Sequence, residues 1–199
     1  ALPISYVLKQ PDANQPLYLF FAAQELIHWK STDITKVYQS ADDGQDLAPT
    51  QREIIDEYIR NLTEIYHHDD ELVQRVFSYL HLTGGLSESV LLEVLSADHD
   101  FIKKIAPDTY HANTTKTLPV VIWARLHSHI KPFLKMENKQ GRDTMGFFHR
   151  EFSKSIDANK NTKKIHEDLI ALIFKLMQND HNQGFLANMY MEYYIELVN

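Results

Sequence analysis

A chain of 199 residues, 44% hydrophobic and with a formal net charge of −7, is long enough for one substantial core, so one domain spanning 1–199 is expected. The absence of cysteine excludes disulfides, cysteine-ligated zinc and thiol catalysis, and suits an intracellular, cytoplasmic setting. No run approaches the roughly 18 apolar residues of a membrane span, and the start, ALPISYVLKQ, lacks a basic and apolar leader pattern, so a soluble chain or a soluble piece of a longer one is expected.

The charge is unevenly spread. Residues 33–71 hold eleven acidic and three basic side chains, a net −8, whereas residues 103–164 hold thirteen basic and five acidic, a net +8. Two consequences stay open: the segments are solvated faces that attract each other within the fold, or the basic one steers an acidic partner or an anionic membrane surface. Nucleic acid is not expected, because the basic half shows neither aromatic interleaving nor zinc-ligand spacing.

Six glycines and apolar spacings of three and four predict an all-α fold, a bundle of about nine helices. In chain order, helices are expected at about 17–30, 50–67, 71–82, 87–96, 98–106, 118–135, 143–156, 163–178 and 185–198. The clearest is 50–67, where Ile54, Ile55, Tyr58, Ile59, Leu62, Ile65 and Tyr66 form one stripe and Thr50 with Glu53 forms a capping-box pattern after Pro49. Its other face, Glu53, Asp56, Glu57, Arg60 and Glu64, should meet water. Punctuation is expected at Thr83-Gly84-Gly85, at Pro107 and in the polar runs ADDGQD and DANKNT. Pro132 should kink or end the helix that begins near 118. No alternation of strand type stands out. The tail, with Tyr190, Tyr193 and Tyr194 beside Met189 and Met191, reads as a core stripe or as an exposed docking face.

Eleven histidines raise metal chemistry. Glu25 with His28, and Glu64 with His67, have the spacing that places two ligands on one helix face, as in carboxylate-bridged di-iron bundles. The chain's composition supplies about one such pair by chance, and no bridging carboxylates can be identified. His68-Asp69 and His99-Asp100 resemble the dyad of helical metal-dependent hydrolases, but they read equally as polar helix ends, with Asp69, Asp70 and Asp98 near caps. No phosphate-binding glycine loop, nucleophile elbow or metalloprotease helix is present.

Two segments carry a family resemblance. LIFKLMQNDHNQGFLANMYMEYYIELV resembles the closing part of the regulator of G-protein signalling (RGS) domains through Ile173, Phe174, Leu176, Met177, Asp180, Phe185, Leu186, Tyr190 and Leu197. VLKQPDANQPLYLFFAAQELIHWK resembles an early RGS segment through Leu8, Lys9, Leu17, Phe20, Ala22 and Glu25. Together they cover about residues 5–38 and 165–198. Residues 40–160 are divergent or inserted, as in anchoring-protein, sorting-nexin and Rho-exchange-factor members.

The resemblance implies an RGS-like bundle that binds a G-protein α subunit or a small GTPase, or acts as a signalling scaffold, with no cofactor. Catalytic members use Asn, Asp and Arg side chains to steady the GTPase switch regions. Here the first Asn falls on Pro16, the Arg falls on Gly184, and only Asp180 survives, so weak or no acceleration of GTP hydrolysis is expected. The implied contact residues are Asp12, Asn14 and Gln15 in one loop and Asp180, His181 and Asn182 in another. The basic segment 103–164 could add peripheral contact with anionic membranes. An active GTPase-activating protein and a helical metal-dependent hydrolase are the alternatives.

Overall fold

Thr50 and Glu53 form the expected capping box: the Thr50 hydroxyl accepts from the Glu53 amide at 3.3 Å and the Glu53 carboxylate accepts from the Thr50 amide at 3.2 Å. The computed structural model describes residues 2–29, 47–106, 117–139, 141–157, 162–179, 190–192, 194–195 and 197–198. The chain divides into two compact units, Ala1–Tyr66 and His67–Asn199.

The first unit contains α1 (Leu2–Val7), α2 (Pro16–His28) and α3 (Gln51–Glu64). Both α1 and α3 pack on α2. Leu17, Tyr18, Phe21 and Ala22 of α2 are buried, as are Ile54, Ile55, Tyr58 and Leu62 of α3, and the Phe21 and Tyr58 rings meet edge to face at 5.4 Å. Four of the seven residues in the expected α3 stripe are therefore buried. Ile65, 50% exposed, departs because the helix stops at Glu64 and the chain turns away. The charged face meets water as expected except at the half-buried Glu57, with Arg60 reaching Glu57 and Glu64, and Arg52 reaching Asp56.

The second unit contains α4 (Asp70–Leu82), α5 (Glu88–Ala97), α6 (His99–Ile105), α7 (Val120–Ile130), α8 (Arg150–Asp157) and α9 (Thr162–Asn179). Residues 190–192, 194–195 and 197–198 are helical as well. Asp69, Ser87 and Asp98 cap α4, α5 and α6, each side chain accepting an amide from the first turn. This is the preference of small polar residues for orphan helix amides. α9 packs on α4 and α5, with Leu169 and Ile173 buried. The tail is mixed: Tyr190 and Leu197 are buried, Met191 is 44% exposed, and Met189 and Tyr193 lie outside the described residues.

The expectation of helices at 118–135 and 143–156 without strands is corrected. α7 stops at Ile130, a 3-10 turn at Lys131–Phe133 accommodates Pro132, and β1 (Leu134–Lys139) pairs antiparallel with β2 (Arg142–Phe147) before α8 begins. Pro132 thus ends the helix, as its missing N–H and its ring demand. The two-residue connection turns at Gly141, whose φ of +80° suits glycine, and the Asn138 side chain accepts the Gly141 amide at 3.0 Å.

β2 is held on its other side by Leu86, which exchanges two hydrogen bonds with Met145 at 3.0 and 2.7 Å. Gly85 permits this approach. Its φ is +122°, and a Cβ there would lie 3.0 Å from the Met145 carbonyl oxygen. An aromatic group joins the hairpin to its neighbours: Phe147 stacks on Phe152 of α8 at 5.1 Å, Phe77 of α4 lies 5.1 Å from Phe147, and Phe133 lies 5.5 Å from Phe152. Among the described residues the fold is all-helical apart from this hairpin.

Candidate functional site

The segment 8–15 between α1 and α2 is built from consecutive turns. Gln10 donates to the Val7 carbonyl, Ala13 to Gln10 and Gln15 to Asp12, at 2.9 to 3.1 Å. Asp12 then fastens the segment to α3, its carboxylate accepting the Gln51 amide at 2.7 Å. Gln51 is the first residue of α3, so the Asp12 carboxylate supplies a further cap, this one anionic, beside the Thr50 hydroxyl at the positive end of that helix. Tyr18 adds a tie at 2.8 Å to the Ala48 carbonyl, and burial pushes its hydroxyl pKa up to about 12, so it stays a neutral donor.

The expected contact residues therefore divide. Asp12 is half-buried and occupied internally, whereas Asn14 and Gln15 are exposed. Gln15 occupies the position before α2 without capping it through its side chain, and Pro16 stands in the first turn, where its missing N–H costs no helix bond. In the same stretch of chain Leu8 is 62% exposed, and Leu19 and Phe20 on the first turns of α2 are exposed as well. Asp180, His181 and Asn182 lie outside the described residues. The sequence pattern did not mark Leu8, Leu19 or Phe20 as surface residues. Leu19 and Phe20 look like core residues until α2 is seen to bury its other side through Leu17, Tyr18, Phe21 and Ala22.

The acidic and histidine pairs are engaged separately. Glu25 is buried, and both its carboxylate oxygens accept from the Asn61 amide at 3.1 Å. Burial raises the Glu25 pKa, the Asn61 bond opposes that, and Glu57 adds to it. His28, at the exposed end of α2, contacts the Tyr66 hydroxyl through Nε2. Glu64 ends α3 while His67 lies beyond it with φ +54°, so the second pair does not share a helix face. His68 is buried, with Nε2 2.9 Å from His129 Nδ1, and burial foremost, then His129 and Arg125, lowers its pKa to about 4. Among the described residues no three His, Cys, Asp or Glu side chains converge to hold a metal ion.

The second unit also has a charged cleft of about 390 Å³, lined by α4 residues Asp70, Glu71, Gln74 and Arg75, by Lys104, and by Lys164 and Asp168 of α9. Arg75 organises it. Its guanidinium lies 4.2 Å from the Phe101 ring centroid and binds Glu71 at 2.7 Å and Asp98 at 2.9 Å, while Lys104 reaches the other Glu71 oxygen at 2.7 Å. Burial alone would raise the Glu71 carboxyl, but the bonds from Lys104 and Arg75 outweigh it and hold the group below its ordinary value. Asp98 behaves in the same way through the Phe101 amide and Arg75. These bonds pair Glu71, Arg75 and Lys104 internally and make this side of the cleft a brace among α4, α5 and α6.

Among the described residues no helix is long and apolar enough to cross a membrane. Comparison of the chain with models of protein families, with curated proteins and with solved structures finds no match.

Proposed function

We propose that this chain is an RGS-like interaction domain that binds a G-protein α subunit or a small GTPase, or acts as a signalling scaffold, with little or no acceleration of GTP hydrolysis. The observation that supports the reading is the pinned segment 8–15, which offers Asn14 and Gln15 to solvent, with Leu8 of the same segment and Leu19 and Phe20 at the start of α2 also exposed. A turn segment held by its own backbone and by Asp12 loses little freedom on docking, so its contacts are not spent on ordering it. Exposed apolar side chains beside amides that can both donate and accept are a common composition for protein contact surfaces. The RGS resemblance assigns the partner class.

The test is binding of the full chain to a panel of Gα and small GTPases in GDP, GTP-analogue and aluminium-fluoride states. Nucleotide-dependent binding that weakens in Asn14→Ala and Gln15→Ala, with unchanged thermal unfolding, is the expected result. Absence of nucleotide-dependent binding across the panel would sink the GTPase reading. Multiple-turnover GTP hydrolysis separates the binder from an active GTPase-activating protein: the binder leaves the rate unchanged.

A further inference from the structure

β1 is an edge strand whose outward backbone groups can be identified. Met145 of β2 turns its own amide and carbonyl to Leu86, away from β1. Met136, opposite Met145, is therefore in a non-hydrogen-bonded pair and directs its amide and carbonyl outward. By the same alternation, Asn138 directs both groups outward. The Leu134 carbonyl faces that way too, while the Leu134 amide is already bonded to the Lys131 carbonyl. Lys135 through Lys139 are all exposed, with Met136 at 63%, so among the described residues nothing covers this edge.

We propose that this edge pairs with the same edge of a second copy of the chain, antiparallel and with the two-fold axis at Met136. The proposal does not depend on the GTPase reading. The charges choose both the occupant and the register. Centred on Met136, an antiparallel pair places Lys135 opposite Glu137 of the second copy, and Glu137 opposite its Lys135. These two side chains stand 2.6 Å apart within one chain, so pairing builds a closed group of four alternating charges.

Neighbouring registers are poorer. Moving the axis to residue 135 sets Lys135 against itself, and moving it to residue 137 sets Glu137 against itself and Lys135 against Lys139. An axis at Asn138 runs the second strand into the hairpin turn and draws on Lys139, which already donates to the Gly84 carbonyl at 2.8 Å. In the favoured register Met136 exchanges two hydrogen bonds with Met136 of the second copy. Each Asn138 amide donates to a Leu134 carbonyl, and a four-stranded antiparallel sheet results. The lysines that guard this edge against arbitrary strands therefore also specify one partner.

The contact is short and belongs to the small interface class, under about 1,200 Å². Association should accordingly be concentration-dependent, with dissociation constants on the order of 10–100 µM.

Sedimentation velocity of the full chain over a concentration series gives the first readout. Lys135→Glu should weaken self-association on the order of tenfold, and the double swap Lys135→Glu with Glu137→Lys should restore it. Because Lys135 and Glu137 are both 44% exposed, the swap leaves the fold's interior untouched. Mild oxidation gives a second readout, made clean by the absence of native cysteine. The Met136→Cys variant should cross-link readily, since hydrogen-bonded partners lie about 5.5 Å apart between Cα atoms. The Lys139→Cys variant should not, its two copies standing about 20 Å apart. A chain that stays monomeric at several hundred micromolar would overturn the proposal. So would a dimer indifferent to Lys135→Glu, or equal cross-linking at the two positions.

Discussion

Asp12 and Asn14 are two residues apart in one loop, yet they belong to different parts of the molecule's energetics. The Asp12 carboxylate takes the first amide of α3, so Asp12→Ala removes a charged cap and an anchor of the loop together. The expected cost is about 1–2 kcal/mol in denaturant unfolding, whereas the exposed Asn14→Ala should change it by less than about 0.5 kcal/mol. Glu25 poses a different question, because its burial raises its pKa and thereby disfavours the charged form in the folded chain. A carboxyl with a raised folded pKa binds more protons folded than unfolded, so its contribution to stability falls as pH rises from the unfolded value through the folded one. Glu25→Gln should therefore raise the melting temperature at pH 7, where the wild-type charge is buried. The gain should vanish below the ordinary carboxylate range. A gain of equal size at every pH would show that Glu25 is not titrating in that way.

At the level of elements, helices with a polar cap and an apolar stripe were legible in the sequence: Thr50, Asp69 and Asp98 mark three starts, and α3 follows its stripe to Leu62. The hairpin was not legible, for physical reasons. β1 carries only Leu134 and Met136 as apolar side chains, and five of its six residues are exposed, so it has no buried face to print an alternation. β2 owes its place to Leu86 and Phe77, which are distant in sequence, together with the nearby Phe152. The signal available was Gly141 alone, a chain punctuator between two short segments after Pro132. Gly85→Ala tests the arrangement. A φ of +122° and a 3.0 Å approach to the Met145 carbonyl should make it about 1–3 kcal/mol less stable, read as a lower denaturant midpoint.

Over the whole chain, titration should act on the two units in opposite directions. In the first, Glu25 and Glu57 are raised chiefly by burial, so protonation relieves the folded state as pH falls. In the second, Glu71 and Asp98 are lowered, and stability is lost as pH drops through their folded values. His68 adds to this loss. It stays neutral to about pH 4 when folded but takes a proton near 6.5 when unfolded, so acid favours the unfolded chain across that interval. Trp29 belongs to the first unit and Trp123 to the second, so Trp29→Phe leaves a fluorescence reporter of the second alone. Its melting temperature should fall by several degrees between pH 6.5 and 4, and His68→Gln should flatten that fall. The division at Tyr66 carried no sequence mark, because the polar run YHHDD reads as an ordinary helix end. As for the candidate contact surface, the sequence pointed to Asn14 and Gln15 through resemblance. That Asp12 faces inward depended on an amide far along the chain.

The bridge between Leu86 and Met145 also bears on the order of events when the chain folds. A two-stranded hairpin closed by a two-residue turn forms within microseconds but is marginal alone. Joining Leu86 to it means closing a long loop, an entropic cost met only when α4 and α5 are already packed. β1 and β2 should then flicker until Gly85 and Leu86 arrive, and the Met145 amide, held at 2.7 Å by the Leu86 carbonyl, should gain protection from hydrogen exchange late, together with the interior of α4 rather than with the hairpin's turn.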